Sequence, residues 1–169
     1  ENILNSTRAT DFITPKTAIS RLFRDSVLDL AERGAPFARS LVNTGRLSVP
    51  AVYDASPLNG PDDPALPRRT RPGAPVTDAP TGRGWLADMV GGRFQILALN
   101  AEIAPVTAGG ETAEVVALST AGQPRLAERY LGDAPAAVYL LRPDQHVAAR
   151  WTAARPEEIA AAMTRAMGG

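Results

Sequence analysis

Residues 133–167 read DAPAAVYLLRPDQHVAARWTAARPEEIAAAMTRAM, and the succession of patterns in this stretch decides the fold. Ala136 to Leu141 (AAVYLL) is an apolar run of strand length. Arg142-Pro143-Asp144-Gln145 is turn chemistry, with a proline that presets φ and an aspartate able to bond nearby backbone. Val147, Ala149 and Trp151 then alternate, which places them on one face of a returning strand. Pro156-Glu157-Glu158 begins a helix, with acids where the helix dipole favours them. Ile159, Ala162, Met163 and Ala166 form its apolar stripe, and Gly168 ends it.

Upstream, Phe94 to Leu99 (FQILAL) predicts a strand buried on both faces. A loop with Gly, Pro and Thr follows, and Val115 to Leu118 is another short apolar strand. Pro124 opens a short helix through Leu126 and Tyr130, stopped by Gly132. Strands alternating with helices imply parallel pairing, and the last two strands form an antiparallel hairpin. The expected class is α/β, a mixed sheet with helices packed on it.

The first part of the chain differs. Thr14-Pro15 predicts a helix start, and Ile19, Leu22, Phe23, Val27, Leu30 and Ala31 make one stripe ending near Gly34. Pro36 starts a shorter helix bearing Phe37, Leu41 and Val42, with Gly45 as its stop, so residues 1–47 read as a helical hairpin. Eight prolines then fall between Pro50 and Pro80. Proline removes donors and holds its predecessor extended, so residues 48–82 are expected to be a long connector, partly mobile around 60–72. Residues 83–169 form the sheet domain.

Composition excludes much of the remaining chemistry. The absence of cysteine removes disulfides, thiol redox chemistry and thiolate-bound metals. A single histidine, His146, argues against a multi-histidine metal site. Eighteen basic and eighteen acidic residues balance to zero, which gives no support to polyanion binding, so no nucleic-acid partner is expected. The apolar runs fall well short of the roughly 20 residues that cross a bilayer, so no membrane role is expected either and a cytoplasmic protein is. The first residues, ENILNSTRATDF, lack an initiator Met and a secretory pattern, and so read as a piece of something longer.

The stretch from Asp133 to Met167 resembles the second half of a thioredoxin fold. The resemblance makes Pro135 the candidate for that fold's cis-proline, and it places the redox motif at Asn100 to Thr112 (NAEIAPVTAGGET), where cysteine is absent. Dithiol exchange is therefore impossible. A wider resemblance joins TRATDFITPKTAISRLFRDSVLDLAE, then Tyr53-Asp54-Ala55-Ser56-Pro57-Leu58, then Leu141 to Arg150 (LRPDQHVAAR). Together, in this order, they look like the C-terminal third of the single-component FAD-dependent aromatic hydroxylases, the phenol hydroxylase and 3-(3-hydroxyphenyl)propionate hydroxylase type. The resemblance implies a parent monooxygenase using FAD and NAD(P)H to hydroxylate a phenolic ring. This part would then be a non-catalytic, thioredoxin-like scaffold that contacts the flavin domain and supports a homodimer. No G-x-G-x-x-G follows a strand, so neither cofactor is assigned to these residues, and no catalytic or metal-binding residue is either. The alternative from a different class is a free-standing thioredoxin-like interaction module.

Individual residues receive plain readings. His146 beside Asp144 is taken as a polar hairpin tip rather than an acid–base pair, since no further site group clusters with them. Ser56 lacks a nearby base and is assigned to a local turn. Arg68, Arg69 and Arg71 are read as solvated connector charges with Asp62 and Asp63 near. Trp85 and Trp151 stand equally as interface anchors or core. The stripe with Leu22, Phe23, Val27 and Leu30 is expected to need a partner.

Overall fold

A computed structural model of the chain describes residues 10–42 and 50–169. It divides into two units, Glu1–Ala51 and Val52–Gly169. No described helix is long and apolar enough to cross a membrane.

In the first unit, helix α1 (Ala18–Glu32) starts three residues later than Thr14-Pro15 suggests. Thr17 is the cap, its hydroxyl accepting from the Ser20 N–H at 3.1 Å. Thr14 instead closes a preceding helical turn at residues 10–13, through its hydroxyl and its N–H to the Thr10 carbonyl. Gly34 does stop α1: at φ 89° it lets its own N–H reach Ala31 O and the Ala35 N–H reach Leu30 O. Helix α2 (Pro36–Val42) follows, and its expected stop, Gly45, lies outside the described residues. Val27 and Ala38 are buried, whereas Ile19, Leu22 and Phe23 are exposed.

The second unit is built on a five-stranded mixed sheet in the order β2-β3-β1-β4-β5. Its strands are β1 (Gln95–Leu99), β2 (Val106–Ala108), β3 (Glu111–Leu118), β4 (Ala137–Leu141) and β5 (Val147–Trp151). β1 pairs with β3 in parallel and with β4 antiparallel, and β4 and β5 form the expected hairpin. Helix α3 (Pro124–Tyr130) lies between β3 and β4, and α4 (Pro156–Ala166) closes the chain. The sequence pattern missed β2, a three-residue strand that folds back on β3.

Both faces of the sheet are covered. On one, Ile96, Val138, Leu140 and Trp151 meet Ile159, Ala162 and Met163 of α4. Burial of side chains the size of Ile159 and Met163 contributes about 1.5–3 kcal/mol each. On the other face, Leu97, Leu99, Tyr139 and Leu141 meet Leu126 and Tyr130 of α3 and also Leu66, Ala79 and Leu86. Val147 belongs to this second face, and Ala149 and Trp151 to the first. The expected single-face alternation fails because the β4–β5 register shifts between Leu140↔Ala149 and Leu141↔Val147, a bulge at Ala148 that flips the strand's sidedness.

The proline-rich stretch is thus a layer of this unit rather than a mobile connector. Its described residues contain no α-helix or strand, as its prolines dictate, only isolated bridges and a 3₁₀ turn at Arg68–Thr70. Yet it is tied along the outer edge of β5: Gly60 N donates to Ala148 O, Arg150 N to Pro61 O, Gly73 N to Val147 O and Val147 N to Ala74 O. Gly60 suits this close approach: a Cβ would stand 3.0 Å from that of Ala149 and 3.2 Å from that of Ala162, so a neighbour would have to shift.

Side chains complete the attachment. Arg150 on β5 is 2 % exposed and donates to Asp62 at 2.6 Å, to Pro67 O at 2.5 Å and to Thr70 at 3.3 Å. Thr70 also bonds the Tyr139 hydroxyl at 3.1 Å, and Tyr139 donates to the Tyr130 carbonyl. The Asp63 carboxylate accepts from both the N–H and the hydroxyl of Thr152, at 2.9 and 2.8 Å. Replacing Arg150 by Ala leaves these acceptors unmatched and removes a buried stem, so we expect a loss of about 2–3 kcal/mol in urea unfolding, with new proteolytic cleavage around residues 60–72.

Acid should loosen the same attachment. Hydrogen bonds from the Thr152 hydroxyl, then its N–H and that of Ala65, hold the Asp63 carboxyl below its ordinary value of 3.8. A depressed folded value means that the stabilisation is complete above the unfolded value and is lost as pH falls through the folded one. Stability measured from pH 5 down should therefore begin to fall near about pH 4, and Asp63→Asn should flatten that dependence.

Candidate functional site

Two segments far apart in sequence meet at one corner of the sheet unit. Residues 53–58 supply Tyr53, Asp54 and Ser56, and the β4–β5 turn supplies Arg142, Asp144 and His146. The Tyr53 ring lies on the His146 imidazole with centroids 5.0 Å apart. Tyr53 N donates to Gly73 O, and the backbone crowds so closely that a Cβ on Gly73 would meet Tyr53 O at 2.4 Å. Gly73, at φ 85°, is the residue type this approach demands.

The polar groups of this corner are consumed locally. Asp144 accepts from Arg142 at 2.6 Å and from the His146 N–H at 3.2 Å, while His146 Nδ1 lies 3.1 Å from the Asp144 carbonyl and 3.4 Å from its carboxylate. This is the geometry of a knitted hairpin tip, as the sequence suggests. Ser56 Oγ accepts from the Leu58 N–H at 3.3 Å, a local turn with no base beside it. Arg71 is not a free connector charge: it grips Asp54 through two nitrogens at 2.5 and 2.8 Å. That bidentate hydrogen bond, ahead of the charge itself, lowers the pKa of the exposed Asp54 carboxyl. Arg68 contributes its carbonyl to Arg71, at 3.1 Å. Among the described residues no group of three or more His, Asp or Glu is placed to hold a metal.

At the position where the resemblance places a redox motif, the end of β1, stands Asn100 at φ 51°. Its amide donates to Thr120 Oγ1 at 2.8 Å and to Pro135 O at 3.0 Å, and accepts from the Thr120 N–H at 2.9 Å. One side chain thus ties the ends of β1 and β3 to the entry of β4, a structural role that the sequence reading missed. Asparagine's tolerance of positive φ after a strand was the available signal. Pro135 is trans, since the described residues contain no cis peptide bond. Ahead of it Ala134 N donates to Leu131 O, and with the Asn100 bond this fixes the entry to β4.

A dinucleotide needs a strand leading through glycines into a helix N-terminus. β1 leads instead through residues 100–105 into β2, without that arrangement. Open clefts occur elsewhere among the described residues, two of them on the sheet unit. One of about 490 Å³ is lined by Arg83, Met89, Val115, Val116 and Ala117. The other, about 470 Å³, is lined by Pro61, Trp151, Glu158, Ala161, Ala162 and Arg165.

The two tryptophans separate. Trp151 is core, and Trp85 is 50 % exposed. Acrylamide should therefore quench about half of the emission readily, and Trp85→Phe should remove that accessible component.

No family model and no curated protein matches the chain. Solved structures do. The rebeccamycin biosynthetic enzyme RebC with reduced flavin aligns at TM-score 0.53 and 20% identity, covering 93% of this chain and 30% of that one. RebC-10x, native and K252c-bound, aligns at 0.55 and 21% identity over 91% of this chain and 30% of that one. RebC-10x soaked with chromopyrrolic acid and holding 7-carboxy-K252c aligns at 0.54 and 23%. At this identity the likeness establishes a shared fold. The chain spans about 30% of the length of these flavin enzymes.

Proposed function

We propose that this chain is the C-terminal part of an FAD-dependent aromatic hydroxylase and serves it as scaffold. The observation that carries the proposal is the coverage: more than nine-tenths of this chain follows a portion, under a third, of a flavin enzyme. Three sequence segments resembling the hydroxylases point the same way, and two of them, residues 53–58 and 141–150, pack together at one corner.

The parent's chemistry in this reading is reduction of FAD by NAD(P)H and transfer of one oxygen atom from dioxygen to a phenolic ring. The residues described here hold shape rather than substrate. The strand order, with β4 antiparallel to a parallel β1–β3 pair, β5 antiparallel in turn to β4, and α4 closing one face, supports a thioredoxin-like domain. Asn100 bonds backbone and a hydroxyl where such a domain would otherwise carry a thiol. The exposed residues Leu22 and Phe23 of α1 suit a face that rests on the flavin body, and a homodimer is the assembly the scaffold would support.

Titration of FAD into the isolated chain tests the proposal. We expect no flavin absorbance to co-elute with the protein on gel filtration. Stoichiometric, tight retention of FAD would place a flavin site within these residues and refute the scaffold role.

A further inference from the structure

A sheet presents unpaired N–H and C=O groups at each edge, and native proteins cover, bend or charge those edges. Here the β5 edge is covered by the proline-rich layer. The opposite edge is covered only in part. β2 pairs with β3 over Glu111–Ala113 and goes no further than Val106, because Pro105 before it has no N–H to extend the ladder.

Beyond Ala113, β3 runs on to Leu118 with β1 on one side alone. Leu118 O accepts from Asn100 N on that side, so strand alternation turns the N–H and C=O of Ala117 and Val115 outward. Ala117 O is met by Arg83 Nη2 at 3.2 Å, which confirms the direction. The open cleft lined by Arg83, Met89 and Val115–Ala117 lies along this edge. Neither Arg83 nor Glu114 has an ion-pair partner among the described residues.

We propose that a second copy of this chain adds its own β3 here, antiparallel, about a two-fold axis through Val116. The proposal rests on the dimer-supporting role given above and specifies its surface. Self-complementarity sets the register: Val115 faces Ala117 of the second copy and exchanges both backbone bonds with it, and Val116 faces itself. Charge sets the same register. Arg83 stands beside Ala117, and pairing brings it beside Val115 and Glu114 of the second copy, so each copy offers an unpaired cation to the other's unpaired anion. In the single chain Arg83 shields the edge, and in the pair its guanidinium turns from Ala117 O to the opposing carboxylate.

The test uses the full chain in sedimentation and cross-linking. Val116→Cys places the sole thiol of a cysteine-free chain in a self-facing pair, at a Cα separation of about 4.5 Å that a disulfide spans. We expect Val116→Cys to form a covalent dimer under mild oxidation and Ala117→Cys not to. Glu114→Arg should weaken the dimer about tenfold or more, and Arg83→Glu combined with Glu114→Arg should restore it. Circular dichroism reports that each variant is folded. A dimer that ignores Glu114→Arg and does not cross-link at position 116 overturns this edge while leaving the scaffold role standing. A chain monomeric at every concentration, whether its edge stays open or takes another protein's strand, overturns both the edge and the dimer.

Discussion

Arg150 carries a permanent charge on a strand whose other residues are all apolar, and a charge placed there must be matched where it lies. The match is supplied by residues from another layer: the Asp62 carboxylate, the Pro67 carbonyl and the Thr70 hydroxyl. Each fixes a point along the proline-rich segment, and together they set its path across the sheet. Ion pairs of this kind contribute less to net stability than their Coulomb energy suggests, because desolvation offsets the attraction. What this one supplies is register. A segment rich in proline can make few ladder hydrogen bonds of its own, so its course depends on side chains that wait for it.

Attachment of that segment accounts for the burial on one side of the sheet. With Asp62, Asp63 and Thr70 held on β5 and its neighbours, Leu66 reaches the cluster formed by Leu97, Tyr139 and α3. Tyr130 and Tyr139, edge to face with centroids 5.3 Å apart, join α3 to β4 beneath it. Burial raises the Tyr130 hydroxyl above its ordinary range and that of Tyr139 likewise, so both stay protonated donors across the accessible pH range.

What could be read from sequence was local. The strands at 95–99 and 137–141, the turn, α3 and α4 each announce themselves within a few residues through period, caps and glycine stops. The start of α1 was displaced because Thr14 and Thr17 both suit a cap, and only the Thr10 carbonyl decides between them. The bulge at Ala148 left no trace, since one extra residue in a run of buried positions changes sidedness without changing composition. Proline content foretold the backbone of residues 50–82 but not its attachments, which hang on distant contacts such as that of Asp62 with Arg150, 88 positions away. Nor could spacing reveal that Tyr53 rests on His146, so the corner's knitted character emerged only in three dimensions.

The layered position of the proline-rich segment bears on how this polypeptide can be shortened. A version begun at residue 83 would retain every strand with α3 and α4, and by secondary structure alone it would look complete. It would nonetheless strip Leu66 and Ala79 from one sheet face and leave the guanidinium of Arg150 without its acceptors. A serviceable expression boundary therefore falls ahead of Tyr53, where the segment first hydrogen-bonds to Gly73.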